Sequence, residues 1–169
     1  MRRLIASVAF IGLALSAMVH GATFLGVDLI EKFQLVWGLH LGIFPLFFLM
    51  ILAIRIEEKD SYGFLRKSLS WKRFFAPMPI WAKYVTYALL AYALINFALF
   101  LFLSEGGTPE LRDGKYVLHD HGRIIRELTE QEYHLQKAYV LRGFSGHWMY
   151  FYIISGLYFW FPKQMTNDE

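Results

Sequence analysis

Cysteine is absent from all 169 residues. This excludes disulfides, thiolate metal sites and iron–sulfur clusters. Charge is scarce: 18% of residues are charged, against about 25% in an ordinary soluble domain. No glycine-rich phosphate loop, HExxH pair or serine nucleophile elbow occurs, which removes the commonest signatures of nucleotide, zinc-protease and hydrolase chemistry. No internal repeat is visible, so an inverted-repeat transporter in one chain is disfavoured.

What is plentiful is hydrophobicity, at 56%, with aromatics at 18%. The apolar residues gather into four blocks, at residues 4–27, 35–54, 80–103 and 138–161. A helix of ~20 residues crosses a hydrocarbon core of ~30 Å. The pattern predicts an all-α, four-transmembrane-helix bundle forming one membrane domain over residues 1–169. The first block follows Arg2 and Arg3 and could be mistaken for a secretory signal, but its apolar run continues through Phe24 and Leu25. It reads as a membrane helix. None of the four blocks contains an acidic residue, which argues against a carboxylate-based proton carrier.

Lysine and arginine set the orientation. Arg2 and Arg3 precede the first block, and residues 55–79 carry Arg55, Lys59, Arg66, Lys67, Lys72 and Arg73. Residues 104–137 carry five basic against seven acidic residues. The expectation is an inner-membrane protein with both termini cytoplasmic and the third loop periplasmic. The net charge of +3 is read as this topology signal and not as a nucleic-acid footprint. Between the second and third blocks, Leu65, Leu69, Trp71, Phe74 and Phe75 fit interfacial aromatics or a short amphipathic segment on the membrane surface.

The periplasmic loop, residues 104–129, predicts a small β-hairpin. Gly106-Gly107-Thr108-Pro109 and Asp113-Gly114 are turn chemistry. Strands are expected at residues 115–119 and 123–128, around a turn at Asp120-His121-Gly122. An isolated hairpin is marginal, so this one should pack on helix ends or on a partner. Thr129 and Glu132 form a capping-box pattern. The last helix is therefore expected over residues 130–161, rising clear of the membrane before entering it.

The candidate site is a layer of polar residues. His20, His40, Asn96, Arg142, Ser145 and His147 come from all four predicted helices. At 1.5 Å per residue, His20, His40, Asn96 and His147 lie ~9–14 Å below the outer boundary. Two of His20, His40 and His147 could ligate a b-type haem, with Arg142 pairing a propionate. Gly21, Gly38, Gly42, Gly143 and Gly146 would leave room for a flat ring. All three histidines could instead hold zinc or copper. A quinone, proton or small-anion site is the third chemistry. The plainer reading is interhelical hydrogen bonding with close glycine packing. A weaker metal set lies outside the membrane, at His119, His121 and His134.

Four helices with membrane histidines are loosely similar to di-haem cytochrome b subunits. Those proteins carry histidine pairs near both faces, and the inner half here has none, so the resemblance implies one haem at most. The leading expectation is a non-catalytic module that binds a ligand or a partner, as an accessory subunit or a homo-oligomer in the lipid bilayer. A haem- or metal-dependent electron-transfer protein is the main alternative, and an oligomeric channel or carrier the second.

Overall fold

The computed structural model describes the backbone of residues 1–62 and 74–161, and the side chains of all of these except 57–62. In chain order, α1 is Arg2–Phe24, α2 a single turn at Leu29–Lys32, and α3 Trp37–Tyr62, entered through a 3-10 turn at Gln34–Val36. Then come α4 at Ile80–Leu103, the strands β1 Thr108–Arg112, β2 Lys115–Asp120 and β3 Arg123–Glu127, and α5 at Glu130–Trp160.

Three stretches are long and apolar enough to cross a membrane: Arg2–Phe24, Gln34–Ile56 and Ile80–Leu103. The chain is a small multi-pass membrane protein. The last helix departs from expectation, because α5 is not apolar enough to count among them. Its lower half replaces aliphatic residues with glycine, serine, histidine, tryptophan and tyrosine.

The reason is its position. α5 is the axis on which α1, α3 and α4 pack. Sixteen of its residues are buried, against six in α1 and four in α4. The buried residues of α1 are Ala6, Ala9, Gly12, Ser16, His20 and Thr23, a stripe at three- and four-residue spacing. In lipid there is little hydrophobic drive between helices, so close van der Waals contact must hold them. Small residues let the backbones approach, and large ones fill the gaps. Tyr152 fills the space over Gly12 and Gly42 and donates its hydroxyl to the Leu39 carbonyl at 2.8 Å. Phe10 lies on Gly156, Phe100 on Gly143 and Asn96 on Gly146. The room expected for a flat cofactor at Gly42, Gly143 and Gly146 is thus occupied by the protein's own side chains. Gly21 and Gly38 face open space. Outward, Leu94 and Phe102 of α4 are 64% and 80% exposed, in keeping with a lipid-facing surface.

Neither α1 nor α5 has a basic residue in its own last turn. Each receives an arginine from the other. Arg2 donates to the Tyr158 carbonyl near the end of α5 at 2.9 Å. Arg142 donates to the Thr23 carbonyl near the end of α1 at 2.6 Å. Both place a cation at the negative end of a helix dipole. At the end bearing Arg2 and Tyr158, Phe74 and Phe75 are buried beside Met78 and Met50, and Phe74 stacks on Tyr158. They belong to the core, not to a surface-lying segment. Leu65, Leu69 and Trp71 lie outside the described residues.

The expected hairpin is a three-stranded antiparallel sheet in the order β1-β2-β3. β1 includes Thr108 and Pro109, which the sequence assigns to a turn. Pro109 is tolerated because β1 is an edge strand, with no strand on its other side among the described residues. Both connections are two-residue turns. Asp113-Gly114 and His121-Gly122 have positive φ throughout, the backbone that matches strand twist in tight hairpins. Ile125 is an extra residue in β3, where the register shifts opposite Leu118 and His119. The sheet does pack on helix ends. Tyr116 stacks on Tyr133 of α5, and Arg126 bridges Glu105, just past α4, at 2.9 Å and Glu132 of α5 at 2.8 Å. The capping box is present as expected, with Thr129 and Glu132 each accepting from the other's backbone N–H.

Candidate functional site

The polar residues predicted to form one layer separate into two groups on different sides of α5. Ser145 and His147 are two residues apart, just over half a helical turn, so they face nearly opposite directions.

The first group joins α1, α4 and α5. His20 Nδ1 lies 2.8 Å from Ser145 Oγ, and its Nε2 hydrogen-bonds the Tyr92 hydroxyl. Ser145 in turn donates to the Arg142 carbonyl at 3.3 Å. One tautomer satisfies every group: Tyr92 donates to Nε2, Nδ1–H donates to Ser145, and Ser145 donates onward. The imidazole is neutral in this arrangement, with neither ring nitrogen left over. Asn96 donates its amide to the carbonyls of Arg142 at 2.8 Å and Gly143 at 3.4 Å. Arg142 donates from Nε to Thr23 Oγ1 at 3.1 Å, and its guanidinium lies over the Phe24 ring at 4.2 Å and the Tyr139 ring at 5.4 Å. Its chain leans toward the N-terminal end of α5, as helical side chains do, which brings its head to the end of α1.

Beside this network is a cavity of about 170 Å³, lined by Arg142, Tyr92, Asn96, Tyr139 and apolar side chains of α1 and α4. Ile95 and Leu99 of its lining are 61% and 53% exposed on the outer side of α4.

The second group pairs α3 with α5. The His40 and His147 rings lie 5.9 Å apart and nearly perpendicular. His40 Nδ1 accepts from the Trp148 indole at 2.9 Å, so its proton sits on Nε2. Trp37, Phe44 and Phe144 pack around it edge-on. His20 is not part of this pair. Asn96, Arg142 and Ser145 gather with His20, so the six predicted residues divide into four and two.

Tyr92, Thr23 and Tyr139 were not singled out by the sequence. Two of them carried a signal. Tyr92 is four residues before Asn96, and Thr23 three after His20, so each shares a helix face with a residue that was.

The weaker histidine set is also divided. His119 Nε2 faces Glu110 at 3.3 Å across β1 and β2, while His121 is exposed in its turn, against Asp120 at 2.6 Å. His134 joins Asp28 at 3.0 Å and Glu31 at 3.4 Å. Among the described residues, Asp28, Glu31 and His134 are the group that brings three metal-ligating atoms together. Lys137 already occupies it as a cation, 3.1 Å from Asp28 and 3.6 Å from Glu31. Asp28 also accepts from the Glu31 backbone as the N-cap of α2. Burial pushes the Asp28 carboxyl up, but the hydrogen bonds from His134, Glu31 and Lys137 outweigh it and hold it below its ordinary value. The group thus ties the α1–α3 link to α5 as a compensated ion-pair network.

No protein-family model, curated protein or solved structure matches this chain.

Proposed function

We propose that this protein is a non-catalytic inner-membrane module that crosses the bilayer four times, both termini cytoplasmic, and binds a ligand with the polar layer in the outer half of its bundle. The fourth crossing is α5. Its 31 residues extend roughly 46 Å at 1.5 Å per residue. It runs antiparallel to α1 along that helix's length, clamped by Arg2 at one end and Arg142 toward the other. If α1 crosses, α5 crosses beside it, and the aliphatic helices around it take the lipid contact that its own composition does not suit. The basic residues before α1 and between α3 and α4 favour the cytoplasmic assignment.

The observation that carries the binding reading is Arg142. It is a cation within the bundle with no carboxylate against it among the described residues, fixed by Thr23 at the wall of the cavity. Intramembrane charges are costly, and they mark binding sites and pathways more often than framework.

A second reading, haem or metal ligation, has one observation in its favour, the approach of His40 and His147. It would use those two at the cost of the Trp148–His40 hydrogen bond, since the His40 Nδ1 lone pair is taken and Nε2 carries the proton, and it would not use His20, whose ring nitrogens are both engaged.

Native mass spectrometry of the chain released from its own membrane, with a visible spectrum and metal analysis of the same sample, tests both. The binding reading expects a retained adduct of small-molecule mass, without a Soret band or stoichiometric metal. A bare chain in every charge state contradicts it. A Soret band that disappears in His40→Ala and His147→Ala would replace it with the haem reading.

A further inference from the structure

We propose that the Arg142 cavity takes the anionic head of a single-chain amphiphile, a carboxylate or phosphate ester on an acyl chain, entering sideways from the lipid. This deepens the ligand-binding reading and rests on it.

The head is specified by what Arg142 has left to give. A guanidinium carries five N–H donors. Nε–H goes to Thr23 Oγ1 and one N–H of Nη2 to the Thr23 carbonyl. The remaining three have no protein acceptor among the described residues. The group is not free to swing toward one, because Thr23 holds one edge while the Phe24 and Tyr139 rings flank its plane. A planar fork with donors to spare matches a carboxylate or phosphate better than any neutral head. The neighbours strengthen this selectivity. With the His20 tautomer assigned above, the Tyr92 hydroxyl hydrogen goes to His20, and the Asn96 amide hydrogens point at the carbonyls of Arg142 and Gly143. Arg142 is therefore the dominant donor at the cavity, and its charge has no acidic residue of α1 or α4 to meet.

The tail is specified by the walls. Beyond the polar rim the lining is Phe24, Ile95, Leu99, Phe100 and Leu103. A free inorganic anion would gain nothing from these side chains. A cavity of about 170 Å³ holds a head group and the first methylenes, not a whole two-chain lipid. The rest of one chain can continue along the exposed side of α4 past Ile95 and Leu99. Arginine at membrane depth bends its head toward the nearer interface, where such heads lie.

The test uses the full chain in phosphatidylcholine nanodiscs. Equilibrium binding of oleate, oleyl phosphate, oleyl alcohol and inorganic phosphate is measured for wild type, Arg142→Gln and Leu99→Trp. The last variant fills the cavity and leaves the cation in place, so it stands even if Arg142→Gln fails to fold. Saturable binding of oleate or oleyl phosphate is expected, with oleyl alcohol weaker by ~tenfold or more, the scale of one charge-assisted contact. Leu99→Trp should weaken the anionic amphiphiles by a similar factor, and Arg142→Gln should erase the preference for them over the alcohol. Whichever oleyl anion binds better names the head. Oleyl alcohol binding as well as oleate, and lost in Leu99→Trp, would overturn the anionic head while leaving a ligand site. Inorganic phosphate binding as tightly as oleyl phosphate would overturn the acyl chain. No saturable binding of any amphiphile would overturn the proposal, while the binding reading stands or falls on the adduct retained in native mass spectrometry.

Discussion

α4 and α5 are neighbours that solve opposite problems. α4 buries only Ala82, Thr86, Ala93 and Asn96, and turns tyrosine, leucine, isoleucine and phenylalanine outward. α5 buries sixteen residues, among them three glycines and two serines, and is the less apolar of the two. In water the most buried helix would be the most hydrophobic. In lipid the outside is already apolar, so hydrophobicity marks the helices at the rim, and the central helix is marked by small and polar residues that let others approach and hydrogen-bond.

The largest break in this comparison should come from Trp148. It is fully buried and donates to His40. Trp148→Ala removes a large core side chain and leaves the part-buried His40 Nδ1 unmet, which should cost about 3–5 kcal/mol in reversible unfolding from detergent. Leu94→Ala, on the exposed side of α4, should stay within about 0.5 kcal/mol. A glycine of the axis should come next. A side chain at Gly146 meets the Asn96 amide, so Gly146→Val should cost about 1–3 kcal/mol, and Asn96→Ala in the same chain should recover part of it.

Smaller effects belong to the end that carries the sheet. Thr129→Ala removes the N-cap of α5 and should cost ~1 kcal/mol, read as a lowered melting temperature. A pH dependence follows from the same corner. The Thr129 backbone N–H, the Arg126 guanidinium and the Thr129 hydroxyl pull Glu132 from its ordinary value near 4.5 down to about 2. A depressed carboxyl stabilises the fold in full above its unfolded value, and the contribution is lost as pH falls from 4.5 toward 2. Amide protection in β3 and the first turn of α5, taken relative to the intrinsic exchange rate at each pH, should fall across that window, and Glu132→Gln should flatten the change.

Much of this was legible beforehand. Three apolar spans, the start of α5 at its capping box, and the need for the loop to dock on helix ends are all local signals. β1 was not, because Pro109 reads as a turn until one knows that it lies on an edge. Nor was the division of the polar layer. Counting residues gives depth, but whether His20 and His147 face each other depends on rotation about α5, and two residues there reverse direction. The role of α5 was hidden for a related reason: hydropathy reports composition, not which face is covered by protein.

The central claim is that α5 crosses the membrane inside the other three helices. The chain has no cysteine, so single-cysteine variants are free of background. Ser155→Cys in α5 and Leu94→Cys in α4 can each be exposed in native membranes to a thiol reagent that partitions into the hydrocarbon core. Labelling at position 94 with protection at 155, lifted when the protein is unfolded, is the predicted result. Equal labelling at both positions before unfolding would contradict it.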